Sequence, residues 1–138
     1  MKRDEIMKIL PHREHMLLID EAELIDETAV GRYTVRGDEF FLQGHFPGNP
    51  VVPGVILCEM MGQSACVLVS GADDGGFTPY FTGMNNVKFK NKVTPGDTIE
   101  FKSELTAKKG VFHFIKCAGY VNGSLCVSGE LSFAVIGG

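Results

Sequence analysis

The spacing of apolar and polar residues changes along the chain, and each spacing predicts a different element. In Asp4–Leu10 the apolar residues recur with a helical period and stop at Pro11, which predicts a short amphipathic helix. In His15–Val35 they alternate, which predicts a β-hairpin that turns near Asp26–Thr28. The residues expected on one face of its first arm are Met16, Leu18, Asp20, Ala22 and Leu24.

A loop and a long helix are predicted for the middle of the chain. Phe40–Val52 is too dense in glycine and proline for a long helix or a central strand. It is also rich in phenylalanine, so we expect a structured loop that packs inward. Pro53 then starts a helix that continues to about Ser70, and because this helix is apolar on nearly every side, we expect several of its faces to be buried. Gly71–Thr78 follows as an exposed connector.

Four runs rich in β-branched and aromatic residues fill the rest of the chain and predict strands. They are Tyr80–Val93, Asp97–Lys108, Val111–Val121 and Ser124–Ile136. The break at Asn122-Gly123 is a strong two-residue hairpin signal. Together with the first hairpin, these runs predict an α+β fold in which one antiparallel sheet wraps around the long helix, as a single domain over residues 1–138. Such a sheet keeps an open edge that a second copy can cover, so we expect a homodimer.

Charge and composition exclude several classes of protein. The formal net charge is −4, so no excess of positive charge indicates nucleic acid as the main partner. The four cysteines form no CxxC pair and lack the Cys/His spacing of a zinc site, so we expect reduced, buried thiols and no metal. The first ten residues lack the apolar core of a signal peptide, which leaves the cytoplasm as the expected location.

One segment, Val51–Ala72, is about long enough to cross a membrane. It carries Glu59 and Gln63, and it is interrupted by Pro53 and three glycines. Ionisable and polar groups are expensive in the hydrocarbon region of a bilayer. We therefore expect no membrane-spanning segment.

Candidate acid/base chemistry lies in Phe40–Ala72, where Glu59 is the only formally charged residue although 22% of the whole chain is charged. His45 is the only other group in this stretch that titrates near neutral pH. A lone carboxylate in apolar surroundings needs a partner or a raised pKa. A His and a Glu in such a setting are the pair that an acid/base active site requires.

Three segments of the chain carry a family resemblance, in order and through nearly its whole length. They are LPHREHMLLID (Leu10–Asp20), FFLQGHFPGNPVVPGVILCEMMGQ (Phe40–Gln63) and VKFKNKVTPGDTI (Val87–Ile99). They resemble the β-hydroxyacyl-[acyl-carrier-protein] dehydratases of FabZ type, the hotdog-fold enzymes of bacterial type II fatty acid synthesis. The GHFPGNP…PGV…E spacing is the most specific part of the resemblance.

The resemblance implies a hydro-lyase that converts 3-hydroxyacyl carrier-protein thioesters to trans-2-enoyl thioesters without a metal or redox cofactor. It implies a hotdog homodimer, often assembled as a trimer of dimers into a homohexamer. It also implies that His45 and Glu59 are the catalytic base and acid, and that the two groups of one site belong to different protomers.

The chemistry assigns a task to each group in the predicted site. A neutral His45 takes the α-proton, and Glu59, beside small apolar neighbours, is expected to have its pKa raised so that it protonates the leaving hydroxyl. The Gly54 N–H, near the start of the helix, matches the family's donor to the thioester oxygen. Gln63, one turn beyond Glu59, is expected on the same helix face as a supporting hydrogen-bond partner.

Two further signals concern the substrate and its carrier. Lys88, Lys90 and Lys92 alternate along a predicted strand, and with Arg13 they form a candidate dock for the acidic acyl carrier protein and its phosphopantetheine arm. A solvated edge that discourages aggregation is the alternative. By resemblance, Tyr80 falls near the tyrosine that gates the family's acyl tunnel, although simple packing also accounts for a tyrosine at a strand start.

Three other functions remain open at this stage. A hotdog thioesterase would hydrolyse the thioester instead, but the HFPGNP motif and the His/Glu pair argue against it. The related dehydratase that also isomerises the double bond carries, by resemblance, Asp where this chain has Glu59. A non-catalytic acyl-binding subunit would have lost one catalytic group, whereas both are present here.

Overall fold

One antiparallel sheet of six strands and one long helix make up the molecule. The computed structural model describes residues 1–68 and 77–137, without the side chains of residues 77 and 137. The strands are β1 (Glu21–Ile25), β2 (Thr28–Thr34), β3 (Phe77–Phe89), β4 (Thr98–Lys109), β5 (Phe112–Val121) and β6 (Ser124–Gly137). The helices are α1 (Arg3–Ile6), α2 (Gly54–Ser64) and two 3-10 helices, Phe40–Leu42 and Ala65–Leu68. The spatial order of the strands is β1-β2-β4-β5-β6-β3, and the predicted α+β fold is confirmed.

Two of the tight hairpins form where the turn residues favour them. Asn122 and Gly123 have φ values of 50° and 82°, which is the left-handed conformation that a two-residue hairpin turn requires. Asp26, in the turn between β1 and β2, also has a positive φ, of 57°. Both predicted turns are therefore confirmed, and the strands that flank them pair antiparallel, with one register shift between Gly119 and Tyr120 of β5.

The core lies between α2 and the face of the sheet that it covers. Helix α2 packs on β2, β4 and β5, and the 3-10 turn after it packs on β1, β2 and β4. A Cβ added at Gly31 of β2 would lie 2.4 Å from the Ser64 Cβ, so only glycine allows this close approach. The largest fully buried side chains are Phe101, Ile6, Ile19, Met60, Met61, Ile99, Ile115, Leu131, Gln63, Val35, Val93 and Val127.

The N-terminal segment is less regular than its spacing predicts. Helix α1 ends at Ile6 instead of Leu10, because Lys8 and Ile9 donate to carbonyls only three residues back and Pro11 follows. The first strand begins at Glu21 instead of His15, since the consecutive residues Leu17, Leu18 and Ile19 are all buried. The predicted face is also wrong at two positions: Met16 is 43% exposed and Leu24, on an edge strand, is 52% exposed.

The central helix is also shorter than predicted. Its regular part ends at Ser64 and continues as a 3-10 turn to Leu68, while Ser70 and most of the predicted connector lie outside the described residues. Strand β3 starts at Phe77 and ends at Phe89, whereas the sequence pattern predicts Tyr80–Val93. The other three predicted strands agree with β4, β5 and β6 to within about two residues at each end, as is usual for such boundaries.

Candidate active site

His45 is held in the predicted structured loop by backbone hydrogen bonds. Its N–H donates to Leu42 O at 3.2 Å and its carbonyl accepts from Val51 N at 2.9 Å. The imidazole is half-buried, and its Nδ1 lies 3.0 Å from Val51 O. Because a carbonyl can only accept, Nδ1 carries the proton in this contact, so in the neutral imidazole the lone pair is on Nε2. The loop therefore presents His45 as a base.

An open cleft of about 500 Å³ lies beside His45 at the start of α2. Gly54 is the first residue of that helix, so its N–H is one of those that the helix itself leaves without an acceptor. The hydrogen bonds at this end of the helix begin with Ile56 and Leu57, which both donate to Pro53 O. A Cβ added at Gly54 would lie 2.9 Å from the Phe89 ring, so a side chain there would crowd the cleft. The cleft is lined by His45, Val51, Val52, Gly54, Leu57, Phe89, Lys90, Asn91 and Lys92.

Glu59 opens into a second, smaller cavity of about 60 Å³ on another side of α2. Its carboxylate accepts a 2.8 Å hydrogen bond from Gln63 Nε2, as the helical spacing predicts, and lies 3.2 Å from His12 Nε2. Gln63 is 2% exposed. The cavity is lined by Leu10, His12, Glu59, Gly62, Gln63, Cys66, Pro79, Phe81 and Phe133.

The pKa of Glu59 differs from the expectation. Burial raises this pKa, but the hydrogen bonds from His12 and Gln63 and the charge of His12 outweigh burial, so the pKa lies below its ordinary value. The expected rise, argued from small apolar neighbours on the helix, is therefore wrong for the single chain. The sequence pattern could not reveal this, because His12 lies 47 positions away from Glu59.

His45 and Glu59 do not meet within one chain. The cleft of His45 and the cavity of Glu59 share no lining residue. The two are separated because His45 and Gly54 lie at the N-terminal end of α2, whereas Glu59 and Gln63 follow one and two turns later. A single protomer thus holds the candidate base and the candidate acid in two separate cavities.

The candidate docking residues divide into two groups. Lys88, Lys90 and Lys92 are all exposed, and the last two line the cleft of His45, beyond the end of β3. Arg13 instead donates to the backbone carbonyls of Leu10, His12 and Met7, at 3.0, 2.7 and 3.2 Å. Arg13 is therefore engaged in holding the N-terminal segment.

Tyr80 lies on β3 with 57% of its surface exposed. It is not among the residues that line the cavity of Glu59, whereas its neighbours Pro79 and Phe81 are. Alternation along a strand explains this difference, because adjacent side chains point to opposite faces. In this chain Phe81 lines the cavity, and the role of Tyr80 as a tunnel gate stays a prediction.

His12 is the functional candidate that sequence reasoning missed. In the sequence alone, His12, His15 and His113 have no evident acid partner, which predicts structural roles for all three. In the structure, His12 Nε2 lies 3.2 Å from Glu59, and His15 Nδ1 lies 3.7 Å from a carboxylate oxygen of Glu14. His113 is buried and stacks on Phe133 at a ring distance of 6.0 Å. The signal that could have identified His12 is its place within the LPHREHMLLID segment.

The cysteines agree with the prediction of buried thiols. Cys58, Cys66, Cys117 and Cys126 are all buried and free. Burial raises the pKa of Cys66 to about 12 and that of Cys117 to about 11. Among the residues that the structure describes, no group of three or more His, Cys, Asp or Glu side chains could hold a metal ion. No helix in residues 1–68 or 77–137 is long and apolar enough to cross a membrane.

Comparison with known proteins adds sequence and fold relationships to this geometry. Residues 10–130 match the model of the FabA-like domain. The chain is 41% identical over 137 residues to the 3-hydroxyacyl-[acyl-carrier-protein] dehydratase FabZ of Clostridium perfringens, which covers 98% of this chain and 99% of the relative.

Two solved structures share the fold. A chain of the dehydratase heterocomplex ApeI:P from Xenorhabdus doucetiae has a TM-score of 0.80 at 22% identity, covering 94% of this chain and 89% of that one. A hypothetical thioesterase with coenzyme A from Streptococcus pneumoniae has a TM-score of 0.63 at 15% identity, covering 85% of each chain. At these identities the similarity concerns the fold alone.

Proposed function

We propose the following function from the premise that the chain belongs to the FabA-like domain family and, within it, to the FabZ-type dehydratases. The protein is a hydro-lyase that dehydrates 3-hydroxyacyl-[acyl-carrier-protein] thioesters in fatty acid biosynthesis. The observation that carries this function is the near full-length match to a FabZ relative. A thioesterase remains the second candidate, because a thioesterase has the same fold.

His45 and Glu59 are the catalytic groups in this proposal. His45 Nε2 takes the α-proton of the substrate, and the electrons of that C–H bond move toward the thioester carbonyl. The Gly54 N–H donates to the oxygen on which negative charge grows. The bond to the 3-hydroxyl then breaks, and a proton held at Glu59 leaves with it as water.

The reaction requires two protomers in this proposal. The half-sites of His45 and Glu59 lie on separate cavities of one chain, so one protomer supplies the base and its partner supplies the acid. Edge strand β3 exposes four large hydrophobic side chains, which pairing with a second copy would cover. They are Tyr80, Phe81, Met84 and Phe89. The assembly proposed is a homodimer of single hotdog domains spanning residues 1–138, further assembled as a homohexamer.

Acyl carrier protein delivers the substrate in this proposal. Its acidic surface fits the exposed lysines, two of which line the cleft where the thioester has to reach Gly54. Arg13 is left out of the dock because its guanidinium is already bound to three carbonyls. A cytoplasmic location accompanies this partner, and the four free thiols suit a reducing compartment.

The test is to incubate the purified protein with a 3-hydroxyacyl carrier-protein thioester and identify the product by mass spectrometry and chromatography. A trans-2-enoyl thioester is expected. Release of the free acid would establish the thioesterase instead, and a cis-3-enoyl thioester would add isomerisation. A thioester that is bound but left unchanged would favour the non-catalytic acyl-binding subunit.

A further inference from the structure

The candidate acid is held in a cluster of three side chains that joins the N-terminal segment to α2. His12 Nε2 and Gln63 Nε2 lie 3.2 Å and 2.8 Å from the same carboxylate oxygen of Glu59, Oε2. The side chains of His12 and Glu59 are only 22% and 21% exposed. The contact therefore lies largely out of solvent, where a charged hydrogen bond is stronger than at the surface.

The segment that carries His12 is fixed from both sides. Before and at His12, the Arg13 guanidinium binds three backbone carbonyls within residues 7–12. After it, Gln63 donates to Met16 O at 2.7 Å and accepts from Leu18 N at 2.7 Å. Since Gln63 also binds Glu59, the same amide group fixes both the segment and the acid. These hydrogen bonds thus hold the backbone on both sides of His12 in place beside Glu59.

Only one of the two ring nitrogens of His12 has a polar partner in the described part of the chain. Its Nδ1 is buried and has no hydrogen-bond partner among the described residues. Leaving a buried ring nitrogen unpaired costs free energy. Because Nδ1 stays unpaired while Nε2 lies against Glu59, we infer that the contact with the carboxylate positions the ring.

We propose that His12 is a positioning residue for the dehydration, which holds the Glu59 carboxyl and shares with it the single proton that leaves with the 3-hydroxyl group. The inference rests on the proposed role of Glu59 as the acid. It explains how Glu59 acts as an acid although its pKa lies below the ordinary value. The proton that the carboxylate alone would lose stays in the pair, on His12, and passes through Glu59 to the substrate.

The proton balance of one turnover is closed by this pair. His45 gains the α-proton, the His12–Glu59 pair loses one proton to the departing hydroxyl, and water forms. The proton on His45 then returns to the pair through solvent, and the site is restored. Two such strongly interacting groups titrate as a unit, so the apparent pKa values in a rate profile belong to the pair.

Few other ionisable groups face this pair in the described part of the chain. Of the residues lining the cavity, Cys66 is the remaining titratable one, and its pKa of about 12 keeps it neutral. From β3 and β6 come Pro79, Phe81 and Phe133, which carry no charge. Arg13 is adjacent in sequence and is bound to carbonyls. The pH response is thus expected from His12 and Glu59.

The test compares the pH profiles of the wild-type protein and His12→Gln. A glutamine reaches the carboxylate with its amide nitrogen but cannot carry the proton. The alkaline limb of kcat is expected to move to lower pH, with about a tenfold loss of kcat at pH 7.5 and little change in KM. His15→Gln, at an 83% exposed histidine of the same segment, is the matched control and is expected to keep the wild-type profile. A wild-type profile in His12→Gln would overturn the proposal.

A second measurement needs neither turnover nor a substitution of His12. In ¹⁵N-histidine NMR spectra of the intact protein, the His12 resonances are expected to titrate about one pH unit or more lower in Glu59→Gln than in the wild type, while those of His15 and His113 stay unchanged. An unchanged His12 titration would overturn the shared proton. Failure of the product assay with intact coupling would instead count against the proposed function alone.

Discussion

His45 lies beside the N-terminal end of α2 and Glu59 lies within that helix, and the two open into two cavities of one chain that have no lining residue in common. The cleft beside His45 also contains the Gly54 N–H, whereas the cavity of Glu59 contains Gln63 and His12. In the proposed mechanism, the base and the oxyanion donor therefore form one half-site, and the acid with its hydrogen-bond partners forms the other. This division determines how substitutions are expected to combine.

Gln63 is expected to contribute to stability as well as to catalysis. It is 2% exposed and makes three hydrogen bonds, two of them to the backbone of residues 16 and 18. Gln63→Leu leaves Met16 O and Leu18 N without partners, which is expected to lower the free energy of unfolding by about 2–4 kcal/mol. Urea denaturation at neutral pH measures this change.

The matched control for that prediction is Gln43→Leu, at an exposed glutamine of the structured loop. It is expected to change the free energy of unfolding by less than about 0.5 kcal/mol. Equal effects of the two substitutions would show that the hydrogen bonds of Gln63 contribute little. If the oligomer dissociates during unfolding, both variants have to be compared at one protein concentration.

Gly54→Ala is expected to slow the reaction because the added methyl group lies where the thioester must approach. It would also meet the Phe89 ring at 2.9 Å. A loss of about a hundredfold in kcat is expected, at the lower end of the loss caused by removal of an oxyanion donor, because the N–H itself remains. Steady-state kinetics with the carrier-protein thioester measure it.

The double variant Gly54→Ala with Phe89→Leu separates crowding of the ring from crowding of the substrate. Relief of the ring contact is expected to restore the melting temperature but not kcat, relative to Phe89→Leu alone. Full recovery of kcat would mean that Gly54 serves packing and that its N–H is not approached by the thioester.

The exposed lysines are expected to act on the carrier protein and not on the acyl chain. Reversing Lys88, Lys90 and Lys92 to Glu is expected to raise KM for the carrier-protein thioester about tenfold at low salt, with a smaller effect at high ionic strength. KM for a short pantetheine thioester is expected to stay unchanged. Reversal of Lys108, Lys109 and Lys116, which do not line the cleft, is the control. Equal effects of the two triple variants would refute the dock.

Local signals predicted the parts of the fold that local chemistry determines. The turn at Asn122-Gly123 and the loop that presents His45 follow from residues with restricted or unusual backbone preferences. The boundaries of α1 and β1 could not be predicted, because Leu17, Leu18 and Ile19 are buried consecutively by contacts from elsewhere in the chain and hide the alternation of a strand.

The candidate site shows the same division between local and distant information. The contact of Gln63 with Glu59 follows from a spacing of four residues on one helix. The contact of His12 with Glu59, and with it the direction of the Glu59 pKa, depends on how a segment 47 positions away folds back on α2. The three hydrogen bonds that Arg13 makes to backbone carbonyls likewise depend on the fold of the N-terminal segment and cannot be predicted from its charge.

The most direct test of the divided site is subunit exchange between two inactive variants. His45→Ala and Glu59→Gln are each expected to lose at least about a hundredfold in kcat while remaining folded. In an equal mixture after full exchange, half of the dimers contain both variants, and each of these has one whole site of two. The mixture is therefore expected to regain about a quarter of wild-type activity. No recovery, with exchange proven by mass spectrometry of tagged subunits, would contradict a site built from two protomers.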